Sequence, residues 1–139
     1  GDVGKGCAQS MSGYGAKVKS FAFVGDSKYL ATSGAIDAVC WPFDGDGPVG
    51  RKPICLPYVG KQLVTFVESF PNENAILTGL SDGSVYLSEI EKANNTIIIR
   101  SFTEFEVSAI AVTDDCSHLL IGDMGGNILW TSIWDEEKN

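Results

Sequence analysis

The chain has 139 residues, ten Lys and Arg against eighteen Asp and Glu, a formal charge of −8, and 44% apolar residues. That is one ordinary domain's length with enough apolar material for a core, and an acidic chain without a Lys/Arg cluster lacks the electrostatic footprint that nucleic-acid backbones require. No apolar run approaches the roughly 20 residues needed to cross a bilayer, and the opening segment Gly1-Asp2-Val3-Gly4-Lys5-Gly6 has no hydrophobic signal core, so a soluble, cytoplasmic protein without membrane association is expected.

Apolar and β-branched runs of about five to eight residues recur along the chain between clusters of Gly, Pro, Asn and Asp, and none holds a helical period for three turns. The fold class is all-β. In chain order, strands are predicted over 7–12, 18–23, 29–33, 38–43, 53–58, 63–69, 75–79, 84–90, 96–102, 107–113, 118–122 and 127–133. Asp82-Gly83 and Gly125-Gly126 lie between such runs at two-residue spacing, where a hairpin needs the positive φ that Gly adopts cheaply. A phosphate-binding glycine loop would need a following helix, and none is predicted.

The strands repeat. Setting Val18, Val64 and Val107 in one column aligns 18–41, 64–87 and 107–130 without a gap, at offsets of 46 and 43 residues. Phe21, Val67 and Ile110 then coincide, as do Leu30, Ile76 and Leu119, then Ser33, Gly79 and Gly122, then Val39, Val85 and Ile128, with a turn column of Asp26, Asn72 and Asp115. Periods of about 40 to 45 residues belong to four-stranded propeller blades. The columns that stay apolar define the expected core: Val18, Phe21, Phe23, Leu30, Val39, Trp41, Val64, Val67, Ile76, Val85, Leu87, Val107, Ile110, Leu119, Ile128 and Trp130.

Leu77-Thr78-Gly79-Leu80-Ser81-Asp82-Gly83-Ser84-Val85, together with Trp41 and Trp130 at the ends of third strands, resembles the repeat of the WD-repeat β-propeller family over nearly the whole chain. Met11-Ser12-Gly13-Tyr14, Leu30-Ala31-Thr32-Ser33-Gly34 and 41–48 are similar to a subgroup of alphaproteobacterial WD-repeat proteins. The resemblance implies blades of four antiparallel strands, three blades per chain, half a propeller. It places them in one segment over 1–139, with blades at about 18–58, 64–102 and 107–133. Strand 7–12 is then a lone outer strand that completes the last blade. Pro42, Ser88 and Thr131 stand where the family has the Asp of its Trp-Asp pair, and Gly-His survives once, as Gly13-Tyr14. The Asp-His-Ser-Trp hydrogen-bond network of the family is therefore expected to be degraded, leaving the blades to rely on packing.

Candidate chemistry is sparse. The four cysteines, Cys7, Cys40, Cys55 and Cys116, lack disulfide or zinc-ribbon spacing and read as reduced thiols. Cys116 and the lone histidine, His118, fall beside Asp114 and Asp115 in a turn, one ligand pair short of a metal site. Cys40 and Cys55 could approach across neighbouring strands, with Asp44 and Asp46 nearby, although thiolates and carboxylates suit different cations. Asn94-Asn95-Thr96 matches a glycosylation acceptor that matters only in secreted chains, and 134–139 reads as a solvated acidic tail.

With no nucleophile elbow and no paired carboxylates in a repeat column, no enzyme activity and no cofactor are expected. The resemblance implies a non-enzymatic scaffold for protein–protein interaction, with a ligand- or metal-binding accessory protein as the alternative. In that family the loops leading into the first strand and those joining the second and third share one rim, where partners bind. Aromatic and Met side chains anchor interfaces well, which makes Tyr14, Ile36, Phe105 and Met124 the candidates. Three blades cannot close a ring of four to eight. The chain is therefore expected either to form a homodimer closing a six-bladed ring, with strand 7–12 pairing to 127–133 of its partner, or to be a fragment of a larger propeller with blades before Gly1.

Overall fold

The computed structural model describes residues 12–58 and 60–133. They form β1 (Phe21–Val24), β2 (Tyr29–Thr32), β3 (Asp37–Pro42), β4 (Ile54–Pro57), β5 (Val64–Ser69), β6 (Ala75–Leu80), β7 (Val85–Glu89), β8 (Lys92–Arg100), β9 (Val107–Val112), β10 (His118–Asp123) and β11 (Ile128–Ser132). Three antiparallel sheets result: β1-β2-β3-β4, β5-β6-β7-β8 and β9-β10-β11, each in chain order. The predicted strand 7–12 lies almost wholly outside the described residues. No helix among them is long and apolar enough to cross a membrane.

The turns follow from residue chemistry. Asp26 and Asn72 take φ of 55° and 64° between the first two strands of their sheets, as the shared turn column suggests, because short polar side chains tolerate the left-handed region. In the third turn the positive φ falls one residue later, on Cys116 at 60°.

Alternation along the strands gives each sheet two faces. In the first sheet, Val24, Tyr29, Ala31, Ala38, Cys40 and Leu56 pack on Val67 and Ile76 of the second. The opposite face of the second, with Ala75, Leu77 and Val85, packs on Ile110, Leu119 and Ile121 of the third. The trailing face of one sheet thus meets the leading face of the next, twice. The stack is tightest at the first strands, where β5 lies between β1 and β9. Ser20 Oγ donates to Val67 O and accepts from Val67 N, and Thr65 Oγ1 donates to Val107 O at 2.7 Å. A Cβ on Gly79 would stand 2.4 Å from Val107 Cγ1, which explains glycine at that position.

This stacking corrects the expected core. Val67 is 1% exposed and Ile110 5%, but Phe21, in the same column, is 67% exposed. Val18, Phe23, Ile128 and Trp130 are exposed as well. These exposed side chains lie on the leading face of the first sheet and the trailing face of the third, where no further sheet packs among the described residues, although Leu30 on the first of these faces is buried.

The register of the first sheet is a second correction. Thr32 pairs with Val39, whereas Thr78 pairs with Tyr86 and Ile121 with Leu129. The connection before β3 is one residue shorter than its counterparts, so Ala38, not Val39, matches Val85 and Ile128. Trp41 consequently matches Ser88 and Thr131 rather than Trp130. A one-residue slip exchanges faces, and Trp41 lies on the leading face of its sheet while Trp130 lies on the trailing face of its own.

Candidate functional site: the loop rim

The loops entering β5 and β9 and those joining the second and third strands come together along one side of the stack. Main-chain hydrogen bonds tie them: Ala16 N to Gly34 O, Gly34 N to Val64 O, Val64 N to Ala35 O, Ser81 N to Leu63 O, Thr103 N to Asp82 O and Met124 N to Glu106 O. Ser81 Oγ accepts from Leu63 N and donates to Gln62 Oε1. The Lys19 ammonium meets the Glu106 carboxylate at 2.7 Å, joining segments that precede β1 and β9. Loops braced in this way present side chains on a fixed frame.

Three of the four candidate side chains stand exposed on that frame: Ile36 in the bend between β2 and β3, Phe105 before β9, and Met124 between β10 and β11, the last 68% exposed. The Phe105 ring lies against Gly125, where a Cβ would come within 2.7 Å of it, so the loop following Met124 seats the ring. The same segment is held from below by Thr103, whose Oγ1 accepts from Phe105 N.

Tyr14 turns the other way. Trp41 Nε1 donates to its hydroxyl at 2.9 Å, that hydroxyl bonds Thr32 Oγ1 at 2.6 Å, and Thr32 Oγ1 donates to Val39 O. The second sheet repeats the device: Tyr58 donates to Thr78 Oγ1 at 2.9 Å and bonds Ser88 Oγ, which accepts from Thr96 Oγ1. Thr32 matches Thr78 and Trp41 matches Ser88 in the observed register, so Tyr14 and Tyr58 are equivalents. A polar network thus braces the first two sheets where packing alone was expected; in the third, Ile121 stands at the threonine position and removes the acceptor. Tyr58, Thr78 and Ser88 were missed by sequence reasoning, which sought histidine there. A Tyr recurring 44 residues apart ahead of Val18 and Val64, the first two repeats, was the available signal.

The remaining clusters bond within their own sheets and turns. β3 and β4 adjoin, but Val39 pairs with Cys55 and Cys40 with Ile54, which puts the two thiols on opposite faces. Cys40 is fully buried, and desolvation, with the neighbouring Cys55, pushes its thiol up to about 12. Arg51 closes the 44–52 loop by donating to Asp44 O, Gly47 O and Asp44 Oδ1, and this pairing lowers the Asp44 carboxyl. His118 Nδ1 bonds Ser117 Oγ, and its ring lies 5.7 Å from that of Trp130. Asp115, bonded by Ser117 and Thr113, is lowered to about 2. Among the described residues no three His, Cys, Asp or Glu side chains converge as a metal site.

No protein-family model matches the chain, and no curated protein matches it.

Proposed function

We propose that the chain is three repeats of a WD-repeat-type β-propeller and acts in the cytoplasm as a non-enzymatic scaffold that binds a protein partner through its loop rim. One observation carries this reading: a continuous set of main-chain hydrogen bonds holds the rim loops while Ile36, Phe105 and Met124 stand exposed upon them. Apolar side chains on loops already fixed lose little entropy on binding, whereas the short acidic tail offers screened contacts.

Affinity capture from the source cell with the full chain as bait tests it. The double substitution Phe105→Ala, Met124→Ala should reduce the captured partner at least tenfold, the equivalent of about 1.4 kcal/mol. Deleting residues 135–139 should leave capture unchanged. The opposite pattern sinks the rim assignment.

A further inference from the structure

Among the rim side chains, Phe105 is one that the repeat does not supply. Two residues ahead of Val18, Val64 and Val107 stand Ala16, Gln62 and Phe105. Ala16 N donates to Gly34 O and Gln62 Oε1 accepts from Ser81 Oγ, so both counterparts serve the frame, while the Phe105 ring stands exposed against Gly125. An aromatic ring on such a connection keeps one pose only if the turn beneath it is fixed.

Arg100 fixes it. This last residue of β8 donates from Nε at 3.0 Å and from Nη2 at 2.9 Å to one acceptor, the Gly83 carbonyl. Two donors of a charged guanidinium on a single main-chain oxygen make a strong, directional clamp. Gly83 lies in the turn between β6 and β7, which is closed by Gly83 N donating to Leu80 O and by Asp82 Oδ1 accepting from Ser84 N and Ser84 Oγ. The connection from Arg100 to β9 crosses over this turn. Thr103 N donates to Asp82 O at 2.8 Å, and a Cβ on Gly83 would stand 2.1 Å from Thr103 Oγ1 and 2.8 Å from Phe105 O. Thr103 Oγ1 in turn accepts from Phe105 N and donates to Phe105 O. A continuous set of contacts therefore leads from the guanidinium, through the turn, to the Phe105 main chain.

We infer that Arg100 is a positioning residue for the rim: by clamping the Gly83 carbonyl it makes the β6–β7 turn the seat of residues 103–105 and sets the pose in which Phe105 is offered to a partner. Its use in binding rests on the rim reading. Lysine cannot replace it, because one ammonium on a flexible stem does not reproduce two donors at a fixed angle. Glycine at 83 serves the same device twice, since its φ of 92° is strained for other residues and its bare Cα leaves room for Thr103.

Fluorine NMR of the full chain labelled with 4-fluorophenylalanine tests it, the Phe105 resonance being assigned by its loss in Phe105→Leu. Arg100→Met keeps an apolar stem and removes the donors. In that variant the Phe105 resonance should move toward the value of the free amino acid, and the Thr103 and Phe105 amides should exchange about tenfold faster. The resonance of Phe70, buried between sheets, and the amides of β5 should stay as in the wild type. Arg100→Lys should behave as Arg100→Met does. Thr103→Val removes the hydroxyl link alone and should give the same change at Phe105, and in its presence Arg100→Met should move that resonance no further. An unmoved Phe105 resonance in Arg100→Met, full rescue by lysine, or additive changes in the double variant overturns the inference. So does loss of the wild-type Phe70 resonance or of β5 protection in Arg100→Met, which would make Arg100 a general stabiliser. These readouts need no partner; failure of the rim reading shows separately, as capture unmoved by the Phe105→Ala, Met124→Ala double substitution.

Discussion

Cys40 and Cys55 stand one ladder step apart and differ in what governs thiol chemistry. Cys55 is exposed; Cys40 is sealed between sheets with its thiol raised to about 12. Alkylation at pH 8 followed by peptide mass mapping should modify Cys55 in the native protein and Cys40 only after unfolding, since the thiolate is the reactive form. A folded value above the unfolded 9 means that this thiol's contribution to stability is complete below pH 9 and is lost as pH rises toward 12. Asp115 runs the other way: lowered from 3.8 to about 2, its contribution is complete above pH 4 and is lost as pH falls toward 2. Asp115→Ala should therefore lower the denaturation midpoint at pH 5 and flatten its fall between pH 4 and 2. The Tyr58 hydroxyl is buried and serves both Thr78 and Ser88, so Tyr58→Phe should cost about 1 to 2 kcal/mol in urea unfolding. Residue identities made some of this legible. The αL positions at Asp26 and Asn72 follow from a polar turn column, and Gly13-Tyr14 stands in the Gly-His slot, whereas Tyr58, six residues ahead of Val64 where Tyr14 is four ahead of Val18, was hidden by that offset.

At the scale of elements, strand positions were legible from apolar runs and turn residues, and the exceptions have local causes. β1 begins three residues later than predicted because the Ser33 hydroxyl accepts from both Lys19 N and Ser20 N, taking amides that would otherwise enter the ladder. β8 begins four residues early because the hairpin turns at Ile90 and Glu91, carrying the polar stretch from Lys92 into the strand, with Asn95 Nδ2 bonded to Glu89. The register of β3 was not legible, since a connection shortened by one residue leaves the composition of a repeat unchanged while exchanging its faces. Packing between sheets sets the energetic weight of each column. Val67→Ala and Ile110→Ala should each cost on the order of 2 to 4 kcal/mol in chemical denaturation; a change within about 0.5 kcal/mol would show that these positions do not bridge sheets. Gly79→Ala should also destabilise, by about 1 to 3 kcal/mol, because its Cβ would meet Val107 in a contact with little room to relax.

For the whole molecule, a three-fold repeat is visible in the columns, but a repeat does not say what covers its ends. Phe21 and Val67 share a column and differ only in whether a neighbouring sheet is present, a property of the assembly rather than of the residue. The rim was legible in part: Ile36, Phe105 and Met124 follow from loop position and side-chain type, while the inward turn of Tyr14 depends on hydrogen bonds that require the assembled sheet. Stacking of the three sheets is read most directly by amide hydrogen exchange in β5, which lies between β1 and β9. The ladder amides of β5 should exchange at least tenfold more slowly than those of β11, where Ile128 and Trp130 are exposed. Exchange of the β5 amides as fast as those of β11 would contradict the stacking.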